Sequence, residues 1–270
     1  MKYIPACICL LMMIGSPVTP AHGKLVTKAV EYKQGDTVLE GYLAYDDALK
    51  GRRPGVMVVH EWWGLNDYAK KRAEQLAGMG YVAFAADMYG KGVTTKDPQE
   101  AGRLAGLLRG QPLLRERAQA GLQVLAQNEL VDPSRLAAIG FCFGGSTVLE
   151  LAYSGAPLAG VVSFHGGLPV PKPEEMKNLK ARILILHGAD DPLVKPQEMA
   201  AFHEAMRQAG ADWQMISYGG AVHSFSNPKA GDAKINGVAY DPKAAKRSWK
   251  HMQDFFEEIF AKKGAEGQPR

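Results

Sequence analysis

The stretch "IGFCFGG", residues 139–145, decides how this chain folds. Upstream of it, "RLAAIGF" (135–141) is an apolar run suited to a buried strand, and downstream "GSTVLELAY" continues as a helix. The chain must turn sharply between them. Gly140 and Gly144 allow that turn, because side chains at those positions would collide with the neighbouring strand and helix. Strand, tight turn and helix in this order form half of a parallel β-α-β unit. The turn also places Cys142 at a helix N-terminus, where backbone N–H groups and the helix dipole favour a thiolate. Cys142 is therefore read as a nucleophile, against the plainer reading of a small buried core cysteine.

The same alternation extends in both directions. "GVMVVH" (55–60), "YVAFAAD" (81–87), "AGVVSFHG" (159–166), "ARILILHG" (181–188) and "DWQMISY" (212–218) are strand-like runs. Helical segments lie between or after them, at 66–80, about 97–128, from about 144, at 196–209 and at 241–262. Two earlier β-prone stretches, 25–33 and 37–46, joined by "QGD", predict an N-terminal hairpin. The expected fold is α/β, a doubly wound and mostly parallel sheet flanked by helices, with "LPVPKPEEMKN" (168–178) as a Pro-rich surface loop.

With 270 residues, 46% hydrophobic and 22% charged, the composition is that of a globular protein with room for one large core. Residues 1–23 are set apart. Lys2, the apolar run "ACICLLMMIG" and the small residues Ala21 and Gly23 match a cleaved secretory signal, which leaves residues 24–270 as one domain. The expected location is accordingly periplasmic or secreted, without a membrane anchor, since the apolar run falls short of the roughly 20 residues a bilayer span needs. Cys7 and Cys9 would leave with the signal, so Cys142 becomes a lone thiol in an oxidising compartment and no internal disulfide is expected. No basic block or aromatic-interleaved patch points to nucleic acid.

In open parallel sheets, ligands bind at the carboxyl ends of the strands. Here those ends carry His60 with Glu61, Asp87, Cys142, His165, His187 with Asp191, and His223. A thiol attacking a carbonyl needs a base to take its proton and an acid to orient the base. His223, on the Gly-rich "GGAVHSF" loop after the last strand, is the candidate base. Asp191 is preferred to Asp190 as the acid, because the D-P-x-V context places the loop turn directly after it. His60, His165, His187 and His223 all end strands, but no metal-ligand spacing joins them, and neither a metal nor another cofactor is expected.

These residues resemble the dienelactone hydrolases, carboxymethylenebutenolidase-like proteins of the α/β-hydrolase fold, through "HEWWGLND" (60–67), "AADMYG" (85–90), "GFCFGG", "HGADDPLV" (187–194) and "HSF" (223–225), in that order. The resemblance implies hydrolysis of a lactone or carboxylic ester by Cys142, Asp191 and His223 through a thioester. It implies an oxyanion hole from the N–H groups of Phe143 and Trp62, and a gating role in which Glu61 holds the resting thiol by a hydrogen bond. The family's two substrate-gripping arginines are replaced by Lys91 and Asn227, so the chemistry carries over better than the substrate. Trp62, Trp63, Tyr89 and Phe225 are candidate apolar pocket residues beside them. The expected partner is a small ester or lactone, with the chain acting as a monomer. A lone-thiol redox protein, or a binding protein on the same scaffold, is the alternative.

Overall fold

The computed structural model describes residues 23–261, so nearly all of the expected signal segment, residues 1–23, lies outside the described residues. In chain order the elements are β1 (Leu25–Gln34), β2 (Thr37–Asp46), β3 (Arg53–Val59), α1 (Asp67–Gly78), β4 (Val82–Ala86), α2 (Pro98–Gly106), α3 (Pro112–Ala126) and β5 (Val131–Phe141). They continue as α4 (Phe143–Tyr153), β6 (Gly160–Phe164), α5 (Pro173–Met176), β7 (Arg182–Gly188), α6 (Pro196–Gln208), β8 (Trp213–Tyr218) and α7 (Pro242–Phe260).

The eight strands of the described residues join one sheet in the order β1-β2-β4-β3-β5-β6-β7-β8. The hairpin is antiparallel, from Leu25 opposite Asp46 to Gln34 opposite Thr37, and its two-residue turn starts with Gly35 at φ +56°. β2 also runs antiparallel to β4, while every pairing from β4 across to β8 is parallel. This is the mostly parallel sheet of the α/β-hydrolase fold.

The pleat divides the core between two faces. Met57 and Val59 point to one face with Leu122 of α3, Val148 of α4 and Phe202 of α6. Val56 and Val58 point to the other with Leu76 of α1 and Met252 and Phe256 of α7. Both faces are covered by helices, which is why the central strands read as continuous apolar runs rather than alternating ones.

Three details differ from the sequence reading. The helical material near 97–128 is two helices, separated where Gly110 takes φ +70° and Pro112 starts α3. β5 begins earlier than expected, pairing Val131 with Arg53 before a register shift to Gly55 opposite Leu136. The Pro-rich loop contains the single turn α5.

β3 lies between β4 and β5, so the chain leaves it toward one side of the sheet and later returns on the other. Such a switch point opens a crevice beyond the strand ends. Glu61 and Trp62 follow β3 there, and Cys142 follows β5.

Candidate active site

Cys142 caps α4 with φ 53° and ψ −113°, a conformation that costs a non-glycine residue about 1–3 kcal/mol. Its N–H lies 3.0 Å from the Phe164 carbonyl and 3.2 Å from His165 Nδ1, which hold the turn in place. The two glycines are needed because a Cβ on Gly140 would overlap the backbone of Gly144, and one on Gly144 would overlap the Val59 carbonyl. Among the described residues, three of the four non-glycine residues at positive φ are Cys142, His165 and Ser224, all on loops at this sheet edge. Backbone strain is therefore concentrated where the candidate chemistry lies.

His223 is buried, and its Nδ1 lies 2.8 Å from Asp191 Oδ2, while Leu193 N–H donates to Asp191 Oδ1 at 2.9 Å. Asp190 is exposed and only its backbone is engaged, donating to the Ala221 carbonyl. Nε2 of His223 is buried without a hydrogen-bond partner among the described residues, and Cys142 is close enough to act on the imidazole electrostatically. Burial pushes the His223 pKa down, but the Cys142 sulfur and the hydrogen bond to Asp191 outweigh it and raise it from 6.5 to about 10. The folded value exceeds the unfolded one. Stability from protonated His223, on the order of a few kcal/mol, is thus complete below about pH 6.5 and lost as pH rises through about 10. Urea midpoints at pH 6, 8 and 10 should fall in the wild type, and the decline should be shallower in Cys142→Ala; equal slopes would show that the sulfur does not hold the imidazolium.

Glu61 is buried and does not hold the thiol. Its Oε1 accepts from Ser224 Oγ at 3.0 Å and its Oε2 from Asn227 Nδ2 at 2.6 Å, both stronger donors than S–H. Burial raises the Glu61 pKa, a shift opposed by these two bonds and by the charges of His223 and Arg72. The N–H groups of Trp62 and Phe143, expected at an oxyanion hole, have no acceptor among the described residues.

A cavity of about 1400 Å³ opens over Cys142 and His223, lined also by Glu61, Trp62, Trp63 and Asn227. Three residues expected in it line other surroundings. Tyr89 is buried behind the wall, its hydroxyl donating to the Trp62 carbonyl at 3.0 Å. Phe225 is fully buried in the core, edge-on to His165 at 5.1 Å between ring centroids. Lys91 turns toward the hairpin, where it pairs with Glu31 at 2.6 Å and Glu40 at 3.5 Å, because its backbone N–H is tied to the Val38 carbonyl. Asn227 lines the cavity but spends its amide on Glu61. Of the four strand-end histidines, His165 and His223 meet edge-on with ring centroids 5.5 Å apart, yet among the described residues no group of three or more His, Cys, Asp or Glu side chains is arranged to hold a metal.

Sequence reasoning passed over the support behind Cys142. The N–H of Cys142 approaches His165 Nδ1, so Nε2–H of that ring donates to Ser226 Oγ at 2.7 Å, and Ser226 lies 2.7 Å from Tyr68 Oη. Arg72 ends the chain by donating to Tyr68 Oη and to the Ser226 carbonyl. Burial pushes His165 well below its usual value, which keeps it neutral and able to accept. The second serine of "HSFSN" was the only local signal, and nothing in its spacing connects it to residue 68 or 165.

Residues 39–260 match the model of the dienelactone hydrolase family. The chain belongs to that family. A solved dienelactone hydrolase-like promiscuous phosphotriesterase from metagenomic libraries is 43% identical, with a TM-score of 0.84 over 87% of this chain and 98% of its own. A putative carboxymethylenebutenolidase of Aquifex aeolicus is 28% identical over 84% of this chain and 96% of its own length. An uncharacterized protein of Caenorhabditis elegans is 40% identical over 55% of this chain and 95% of its own. As a dienelactone hydrolase family member, the chain is a lactone or ester hydrolase acting on a small molecule.

Proposed function

We propose that this dienelactone hydrolase family member cleaves its ester or lactone with Cys142 as nucleophile, His223 as base and Asp191 as the group that orients the base. The observation that carries the reading is a strained thiol at the head of α4 facing a buried imidazole whose other nitrogen is bonded to a carboxylate. The thiolate attacks the carbonyl carbon, its proton having gone to His223 Nε2. The oxygen of the tetrahedral intermediate is received by the N–H groups of Trp62 and Phe143. His223 then protonates the leaving alkoxide, and a thioester remains on Cys142. Water, losing its proton to His223, attacks the thioester, and the carboxylic acid departs as the thiol is restored. Mixing enzyme with an activated ester should give a burst of alcohol equal to the enzyme concentration and an acyl mass on Cys142. A linear time course with no adduct in rapidly quenched samples would refute the covalent route.

The substrate is proposed to be neutral or weakly anionic. Lys91 lies elsewhere and Asn227 is engaged, while the cavity's Lys96, Arg109 and Lys229 share its walls with Asp67, Glu198 and Asp232. A phosphotriester is a second candidate, favoured by the breadth of the cavity and by the likeness to the promiscuous phosphotriesterase. Cys142-dependent release of aryl alcohol from a dialkyl aryl phosphate tests it, and turnover surviving in Cys142→Ala would count against it.

Glu61 is proposed to move between its place on Ser224 and Asn227 and a second place on the Cys142 thiol, which it quiets when substrate is absent. Two variants should act oppositely at neutral pH. Glu61→Gln should speed alkylation of Cys142 by iodoacetamide, and Asn227→Ala, which frees Glu61 Oε2, should slow it several-fold; shifts in the same direction would refute the two-place reading. Such protection suits export of the mature chain, proposed from the N-terminal signal pattern, because a permanently exposed thiolate oxidises readily. The mass of the N-terminal peptide from periplasm or medium tests cleavage before Lys24.

A further inference from the structure

We infer that His60, a residue outside the proposed catalytic set, sets the oxyanion hole by fixing the peptide between Glu61 and Trp62, with Tyr89 fixing the next peptide along. The inference rests on the hydrolytic reading above. His60 is completely buried at the end of β3. Its Nε2 receives the Met88 N–H at 3.2 Å, so that nitrogen carries the lone pair and the proton sits on Nδ1. Nδ1–H in turn donates to the Glu61 carbonyl. Burial lowers the His60 pKa and maintains this neutral tautomer.

A trans peptide is planar, with its C=O and N–H pointing in opposite directions. All peptides among the described residues are trans, so holding the Glu61 carbonyl toward His60 turns the Trp62 N–H the other way. That N–H has no acceptor among the described residues, and Trp62 lines the cavity beside Cys142 and Phe143. The following carbonyl, that of Trp62, accepts from Tyr89 Oη at 3.0 Å. Both peptides flanking Trp62 are therefore anchored from behind. The His60 ring also stacks on Phe143, whose N–H is the other proposed donor, with centroids 6.0 Å apart and planes at 23°, and meets Tyr89 edge-on at 5.0 Å. One ring thus touches the supports of both donors. Preorganisation of this kind acts mainly on the transition state, where charge develops on the oxygen, so it should appear in kcat rather than KM.

The test compares two variants of the full chain with a neutral activated ester. His60→Phe keeps an aromatic ring but removes the donor, and should lower kcat about 10- to 100-fold with KM within about 3-fold. Alkylation of Cys142 by iodoacetamide, which needs no oxyanion hole, should stay within about 2-fold of wild type. His60→Asn, which can still donate near the Nδ1 position, should recover most of the loss. Should His60→Phe not fold, Tyr89→Phe removes one hydroxyl and should cost about 3- to 10-fold in kcat alone. Unimpaired kcat in folded His60→Phe or Tyr89→Phe, a parallel loss of alkylation, or no recovery in His60→Asn would each overturn the inference. Absence of Cys142-dependent turnover in the wild type would instead refute the hydrolytic reading beneath it.

Discussion

Cys142→Ala is expected to lower kcat for ester hydrolysis by about five to six orders of magnitude, and His223→Ala by nearly as much, because residues that act as one unit fail together. Asp191→Asn should lose less, about four orders, since the base remains but its ring is no longer held in the correct tautomer. Asp190→Asn should stay close to wild type, as that side chain is exposed and makes no bond to His223. The proposed mechanism explains the ordering. Removing the sulfur removes the covalent intermediate, whereas removing the Asp191 charge leaves the thiol and the oxyanion donors in place. Initial rates on one activated ester, with circular dichroism to confirm folding, give the comparison. A folded Cys142→Ala that retains a tenth of wild-type activity would sink the nucleophile assignment.

Gly140→Ala is expected to be the most damaging small substitution for stability. The added Cβ would sit inside the Gly144 carbonyl and against Gly145 N, all of it backbone, so no side-chain rotation can relieve the overlap. Either β5, which is packed on both faces of the sheet, or the start of α4, which is packed on one, must shift. Such overpacking costs at least about 3 kcal/mol, which in a chain of this size lowers Tm by roughly 6–12 °C. Gly35→Ala provides a contrast: nothing surrounds its Cβ, and only the positive φ opposes it, for a cost of about 1 kcal/mol. Thermal unfolding of both variants decides the matter, and a Gly140→Ala protein as stable as Gly35→Ala would mean that the turn can admit a side chain.

The strand and helix order was legible because burial on both faces imposes a distinctive sequence. "GVMVVH" and "ARILILHG" can be nothing but buried strands once helices recur between them, and the hairpin announced itself through Gly35. Short-range signals read less well where the tertiary setting competes. Gly110 divides two helices that a continuous pattern had joined, and the start of β5 depends on pairing with Arg53, which no local residue declares.

Within the site, position along the chain and position in space contributed different things. By itself the sequence determined which residues end strands: a glycine-flanked turn, an acidic loop and a histidine loop must reach the same edge of a parallel sheet, so Cys142, Asp191 and His223 could be named as candidates from type and order. What it could not determine was the direction of each side chain. Tyr89, Lys91 and Phe225 lie near the site in the chain, yet their hydroxyl, ammonium and ring turn to Trp62, to the hairpin and into the core. Only the tertiary structure decided that Glu61 is held by Ser224 and Asn227, and that His60 and His165 are hydrogen-bonded to backbone groups beside the site. The physical reason is that hydrogen-bond partners in this crevice come from strands distant in sequence. Their pairing is set by sheet order and crossover handedness, which local composition does not encode.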